Sequence, residues 1–331
     1  VDDLLTSGFA MSVCVCIPVY NDWSSALLLL PGLDRVAALR GGAFHVLFVD
    51  DGSTEPVPTN LGALTAISRV SVLTLRRNLG HQRAIAIGLT HLYENASHDA
   101  IVVMDGDGED DPMHLVELMH QLEQSPSAIV FAQRARRTEG LGFRAGYRGF
   151  KLLHYVLTGL RVEVGNFSII PRPALARLVG VSELWNHYAA AVHHARIATA
   201  KIPLPRRARL RGGSKMNLVA LINHGLSAIS VHGDVVGARL LCFLSVVAAL
   251  LLVLLIVIVC IRFMTSLAIP GWATTAFGLS FVSLLNLISI GATAALAGLQ
   301  ARTRTTFVPL RDYRYSILSE QCVYESSRDQ H

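Results

Sequence analysis

Two long stretches of this chain carry no charged residue at all: Leu240 to Ile261, and Phe263 to Leu299. A helix needs ~20 apolar residues to cross the ~30 Å hydrocarbon core of a bilayer, and each stretch meets that length. Between them Thr265 to Trp272 contains Pro270, Gly271 and an interfacial Trp272, the composition of a short turn. The reading is therefore a hairpin of two transmembrane helices, about 240–261 and 273–299, and an ordinary soluble protein is excluded. Charged residues make up only 16% of the chain, against roughly 25% in average soluble domains. Arg262 is the one cation beside the turn, whereas Arg239, Arg302, Arg304, Arg311 and Arg314 flank the outer ends. The positive-inside bias then places the main domain and both termini in the cytoplasm, as an integral protein of the cytoplasmic membrane. Val1 to Ala10 holds two Asp and no basic residue, so no export signal is expected there.

In front of the hairpin, β-rich apolar runs alternate with helix-like segments. Strands are expected at Val13–Val19, Val46–Val49, Val70–Leu75, Ala100–Met104 and Ala128–Ala132. Helices are expected at Ser24–Leu39, Gly80–Asn95 and Met113–Gln124. Such alternation predicts an α/β domain with a mostly parallel sheet covered by helices. Ligands of such sheets bind beyond the carboxyl ends of the strands. The polar clusters fall there: Asn21-Asp22, Asp50-Asp51, Asn78, and Asp105 to Asp111. Asp105, Asp107 and Glu109 alternate at a strand exit, and oxygen-only ligands favour Mg²⁺ or Mn²⁺. A solvated turn, with Asp110 or Asp111 capping the helix that begins at Pro112, is the competing reading. No GxGxxG or GKS/GKT pattern follows the first strand, which argues against dinucleotide and P-loop sites. Cys14 and Cys16 share one strand face and cannot readily bridge each other; no zinc spacing is present, and the domain reads as reduced.

Lys201 to Lys215 contains Lys201, Arg206, Arg207, Arg209, Arg211 and Lys215 and no acid. It lacks the interleaved aromatics of a nucleic-acid groove, so no nucleic acid is expected. Its place just before the first span fits anionic lipid headgroups and a lipid phosphate. Leu218, Leu221, Ile222, Gly225 and Ile229 then recur at helical spacing, as in a helix lying in the interface. His187, His193 and His194 lack metal spacing. The division expected is 1–200 for the α/β domain, 201–236 for the basic loop and interface helix, 237–300 for the hairpin and 301–331 for a tail. Gly291, Ala294, Ala295 and Gly298 permit close helix packing and so allow a homo-oligomer.

The ordered set Cys16-Ile17-Pro18-Val19-Tyr20-Asn21, Val49-Asp50-Asp51-Gly52-Ser53 and Asp105-x-Asp107 resembles family 2 glycosyltransferases of the GT-A fold. Arg77-Asn78-Leu79-Gly80-His81 and Gly213-Ser214-Lys215-Met216-Asn217 are similar to the polyprenyl-phosphate, or dolichol-phosphate, branch. The resemblance implies a membrane-anchored inverting enzyme that moves a sugar from a UDP- or GDP-linked donor to a polyprenyl phosphate. It implies nucleotide-sugar contacts at Pro18, Tyr20, Asp50, Asp51, Asn78 and Asp105, and a divalent ion at Asp105, Asp107 and Glu109. Glu109 stands where relatives usually carry Gln, and Asp111 where they carry proline. Catalytic roles fall by the same resemblance on Asp107, Arg134, Arg144 and Asn166, and lipid-phosphate binding on Arg209, Ser214 and Lys215. Asn166 occupies a position where some relatives have a proposed catalytic Asp. An amide takes no proton at neutral pH, but a phosphate acceptor is already mostly ionised there, so Asn166 is expected to orient the acceptor. Transfer to a glycan or protein is one alternative, although no Gln-x-x-Arg-Trp segment of processive synthases occurs. A catalytically inactive sugar-nucleotide-binding membrane protein is the other.

Overall fold

The computed structural model describes residues 11–134, 149, 152–159, 164–205, 207, 225–265, 271–303 and 307–326. Two compact units emerge: residues 1–145, 162–231 and 306–331 form one, and residues 146–161 and 232–305 the other.

The first unit is built on one mixed sheet. Its strands are β1 (Val13–Val19), β2 (Phe44–Asp50), β3 (Arg69–Leu75), β4 (Ala100–Val103), β5 (Ile129–Arg134), β6 (Val164–Pro171), β7 (Thr199–Leu204) and β8 (Ile317–Glu325). They lie in the order β7-β5-β6-β4-β1-β2-β3-β8. β1, β2, β3 and β4 are parallel to their neighbours in this group, and β6 runs antiparallel to both β4 and β5. All seven positions of β1 are buried, as expected of a strand covered on both faces. Helices α1 (Trp23–Leu27), α2 (Leu30–Arg40) and α4 (Leu115–Gln124) cover one face, with Val15, Ile17, Leu33 and Leu118 in that core. Helices α3 (His81–Asn95), α6 (Arg172–Leu178) and α7 (Tyr188–His194) cover the other, around Cys14, Cys16, Ile85 and Leu175. α3 lies close enough that a Cβ on Gly88 would sit 2.6 Å from Cys16 Sγ and 2.7 Å from a Val49 methyl. Only glycine lets the helix approach the sheet this closely.

Several elements differ from expectation. The single helix predicted over Ser24–Leu39 is two, because Pro31 has no N–H for a continuous ladder and instead opens α2. A 3₁₀ turn, Pro112–His114, precedes α4 for a related reason: Pro112 starts it and the Asp111 side chain accepts from Met113 N at 3.1 Å. The segment after the hairpin is not a separate tail. β8 pairs antiparallel with β3, and α11 (Pro309–Asp312) with the following turn packs against α3. Tyr313, 1% exposed, donates its hydroxyl to Glu94 Oε2 at 2.7 Å, and Arg314 pairs with the same carboxylate.

The second unit holds a short helix α5 (152–158) and two long ones, α9 (Gly233–Met264) and α10 (Trp272–Thr303), which pack on each other. In the first unit, residues 225–230 form helix α8; the rest of the expected interface helix lies outside the described residues. At 32 residues each, α9 and α10 extend about 48 Å, more than a bilayer core requires. Their apolar side chains are largely uncovered by protein, with Leu255 and Ile258 the buried residues of α9. A core helix of a soluble protein would bury its apolar residues, so these are helices long and apolar enough to cross a membrane. Arg239 of α9 donates to the Val156 carbonyl at 2.7 Å and so caps the last turn of α5.

Candidate active site

β1 is where the strand order reverses: β2 and β3 are added on one side and β4 on the other. Parallel sheets open a ligand crevice at such a point, beyond the carboxyl ends. β4 pairs with β1 only as far as Cys16 opposite Val103. Pro18, Val19 and the loop after them therefore run past the last β1–β4 pairing, beside the turn that begins at Asp105.

Three loops are knitted together around this crevice by short hydrogen bonds. Asn21, at φ +47°, accepts on its side-chain oxygen from Thr54 N at 2.9 Å, while its own N–H donates to Ser53 Oγ at 2.9 Å. Ser53 N donates to Asp50 Oδ1 at 2.9 Å. Asp51 accepts from Leu79 N at 2.7 Å and from Gly80 N at 2.8 Å, one bond to each carboxylate oxygen. The Asp51-Gly52 turn touches the Arg77-Asn78 backbone, where a Cβ on Gly52 would fall 2.6 Å from the Arg77 carbonyl carbon. Gly52 also sits at φ +71°, so both space and conformation demand glycine there.

The second half of the site is a side-chain network rooted in the antiparallel strand β6. Asp105 Oδ1 lies 3.0 Å from His81 Nε2 and accepts from Asn166 Nδ2 at 3.2 Å. Asn166 Nδ2 is also 3.0 Å from His81 Nε2, and its Oδ1 accepts from Gln82 Nε2 at 3.2 Å. Gln82 Oε1 in turn accepts from Tyr188 N at 2.7 Å. His81 and Gln82 open α3, so this helix delivers one polar side chain to the carboxylate just past β4 and a second to Asn166 beside it. Neither was among the residues expected from sequence. The motif Arg77 to His81 marked their neighbourhood, but only the pairing of β6 with β4 brings Asn166 to them.

Charge is concentrated here. Loss of water lowers the affinity of His81 for its proton, but Asp105 first, then Asp107 and Asp51, outweigh this and hold it above the usual histidine value. Burial pushes the Asp51 carboxyl up, opposed by its two backbone donors and by His81.

The expected site residues divide clearly. Tyr20 and Asn78 stand exposed at the crevice, whereas Pro18, Asp50 and Asp51 are buried. Asp50 and Asp51 both carry loop backbone on their carboxylates. Asp105 and Asn166 are brought into direct contact. Asp105, Asp107 and Glu109 do not close up as a trio: among the described residues no three His, Cys, Asp or Glu side chains are grouped to hold a metal. β4 ends at Val103, and residues 105–109 follow it as a turn. There Asp107 Oδ1 accepts from Glu109 N at 3.0 Å. Asp111, the replacement for proline, is the helix cap rather than a ligand. Arg134 is the last residue of β5, opposite Leu204 of β7. Arg144, Arg209, Ser214 and Lys215 lie outside the described residues. The donor set still suits a hard divalent ion: Asp105 and Asp107 offer only oxygen, and Mg²⁺ is commonly held by one or two carboxylates with phosphate and water completing its shell.

The model of the family "Glycosyl transferase family 2" matches residues 14–179, from β1 to just past α6. The bactoprenol glucosyl transferase of Shigella phage SfV is 25% identical over 224 residues, covering 66% of this chain and 71% of its own. The undecaprenyl-phosphate 4-deoxy-4-formamido-L-arabinose transferase of Yersinia pestis (strain Pestoides F) is 28% identical over 222 residues, 64% of either chain. Among solved structures, the glucosyl-3-phosphoglycerate synthase of Mycobacterium tuberculosis in complex with Mn²⁺, UDP and phosphoglyceric acid shares 15% identity. It covers 71% of this chain and 82% of its own at a TM-score of 0.51, a likeness of fold. With a carboxylate turn at the switch point of a mixed sheet and the family pattern spanning half its length, the chain belongs to glycosyl transferase family 2 and is a glycosyltransferase of the GT-A fold.

Proposed function

We propose that this glycosyltransferase is membrane-anchored and transfers a sugar, with inversion, from a nucleotide diphosphate sugar to a polyprenyl phosphate. One observation carries the reading: the sheet is assembled from strands on both sides of the apolar hairpin, β1 to β7 before it and β8 after it. A single folded domain cannot straddle a bilayer, so both flanks of the hairpin share one side and the domain is held at a lipid surface. The excess of arginine on those flanks supports the cytoplasmic side. The two relatives named above, which act by their names on bactoprenol or undecaprenyl phosphate, support a lipid-phosphate acceptor.

Asp105 and Asp107 would hold the divalent ion, Mg²⁺ or Mn²⁺, which when bound supplies positive charge to the donor diphosphate. The protein's own part is largely positioning. Asp51 and Gly52 fix the loop that presents Asn78, while Tyr20 and Asn78 line the opening for the nucleotide. His81 and Asn166 orient the Asp105 carboxylate. The acceptor phosphate has a second pKa near ~6 and needs no base to become a nucleophile. An amide at position 166, hydrogen-bonded to Asp105 and Gln82, is consistent with that chemistry. Arg134, Arg144, Arg209, Ser214 and Lys215 complete the proposal as phosphate ligands, guanidinium forks suiting phosphate oxygens.

The test is a membrane assay with labelled UDP- and GDP-sugars and undecaprenyl phosphate. Label is expected in an organic-extractable lipid with at least one donor. Folded protein that forms no lipid-linked product with any donor overturns the proposal.

A further inference from the structure

We infer that Arg207 is a positioning residue for the donor carboxylate turn and not a ligand of the lipid phosphate, an inference that rests on the transferase reading above. By sequence it belongs to the basic strip Lys201 to Lys215. In the structure it lies three residues beyond β7, and both its backbone and its side chain are committed to the acidic turn. Its N–H donates to the Glu109 carbonyl at 3.0 Å, and its guanidinium pairs with the Asp111 carboxylate.

These two contacts tie the turn to the chain just past β7. Asp107 Oδ1 already accepts from Glu109 N, and Asp111 Oδ1 from Met113 N. The run Asp107 to Met113 is thus held internally at both ends, with Arg207 binding its middle to β7. The side chain of Asp111 is only 8% exposed, against 59% for Arg207. An exposed ion pair contributes little, but stripping the partner from a buried carboxylate leaves an uncompensated charge. The turn would then rearrange to hydrate Asp111, and Asp107, four residues away in the same turn, would move with it. A donor diphosphate held through Asp107 feels that movement; a lipid phosphate bound elsewhere on the strip does not.

The experiment uses full-length protein in detergent and the variants Arg207→Gln, Arg207→Lys, Asp111→Asn and the double Arg207→Gln/Asp111→Asn. Asn keeps a side-chain oxygen to cap Met113, so Asp111→Asn removes the charge but not the cap. Three quantities are read: hydrogen exchange of amides 105–113, calorimetric affinity for UDP and for GDP with Mn²⁺, and KM for undecaprenyl phosphate. Arg207→Gln and Asp111→Asn should each speed exchange of the turn and weaken the nucleotide that binds by about fivefold, with the double variant no worse than either, as for one shared interaction. Arg207→Lys should recover most of the loss, and KM for undecaprenyl phosphate should stay unchanged throughout. Unaltered exchange overturns the brace. A raised KM for undecaprenyl phosphate with unaltered nucleotide affinity overturns the assignment and returns Arg207 to the lipid side. Wild-type protein that makes no lipid-linked product refutes the acceptor reading instead, and the exchange data still decide the brace.

Discussion

Asp51 offers the sharpest separation of a ligand contact from a loop anchor. Its family resemblance implies nucleotide binding, yet it is 2% exposed and each carboxylate oxygen accepts a backbone N–H, from Leu79 at 2.7 Å and Gly80 at 2.8 Å. Asp51→Ala would leave both half-buried donors without their acceptor. Each unsatisfied buried donor costs about 1–3 kcal/mol, so the pair should cost about 3 kcal/mol after relaxation. For a domain of this size that is a fall of roughly 6–12 °C in the unfolding midpoint. Loosening should spread to Asn78 and to the first turn of α3, which carries His81 and Gln82. The assay is thermal unfolding with and without nucleotide and Mn²⁺. Asp51→Ala is expected to lower the midpoint by this amount in the absence of any nucleotide. An unchanged midpoint together with lost nucleotide affinity would show that Asp51 acts on the ligand and would refute the anchoring argument.

Three further outcomes can be measured. Asp107→Ala should abolish divalent-dependent turnover while costing only about 1 kcal/mol of stability, since this half-buried side chain accepts one local backbone bond; retained turnover removes the metal assignment. Burial, then the facing His45 and Arg172, hold His98 down to about 4 from an ordinary 6.5. Neutral His98 therefore stabilises the fold above pH 6.5, and stability drains away between 6.5 and 4, by about 3 kcal/mol at most. His98→Gln should flatten that part of the pH–midpoint curve, and an identical slope would disprove the linkage. Tyr313→Ala, beyond the hairpin in sequence, should destabilise the sheet-bearing unit by about 3–5 kcal/mol, as deletion of a buried aromatic does; an unchanged midpoint would mean the segment after the hairpin does not belong to the domain.

What the sequence made legible followed period and length. β1 matched its expected span residue for residue because an unbroken β-rich run bounded by turn residues has few alternatives, and α3 matched to one residue for a similar reason. The hairpin was legible from length alone, although α9 and α10 each extend beyond the charge-free stretch that announced them. Local backbone rules divided the helix at Pro31 and tightened the chain before α4 at Pro112. Elements held by distant partners were not legible. β8 is mostly exposed and reads Ile-Leu-Ser-Glu-Gln-Cys-Val-Tyr-Glu, with no clean alternation, and pairs with a strand more than 200 residues earlier. β6 went unrecognised around Gly165-Asn166, a pair with turn character, so the contact of Asn166 with Asp105 and His81 could not be foreseen. The same applies to Arg207: a run of cations reads as one surface, and the pairing of this member with Asp111 appears only in three dimensions.

A lipid-borne phosphate as acceptor is the core of the proposed reaction. It is tested most directly by reconstituting the purified full-length protein in liposomes containing either undecaprenyl phosphate or undecaprenol, then adding labelled nucleotide sugar and Mn²⁺. Labelled lipid is expected only with undecaprenyl phosphate, with the anomeric configuration of the donor inverted. Equal labelling of undecaprenol, or label appearing only in a water-soluble glycan, would contradict it.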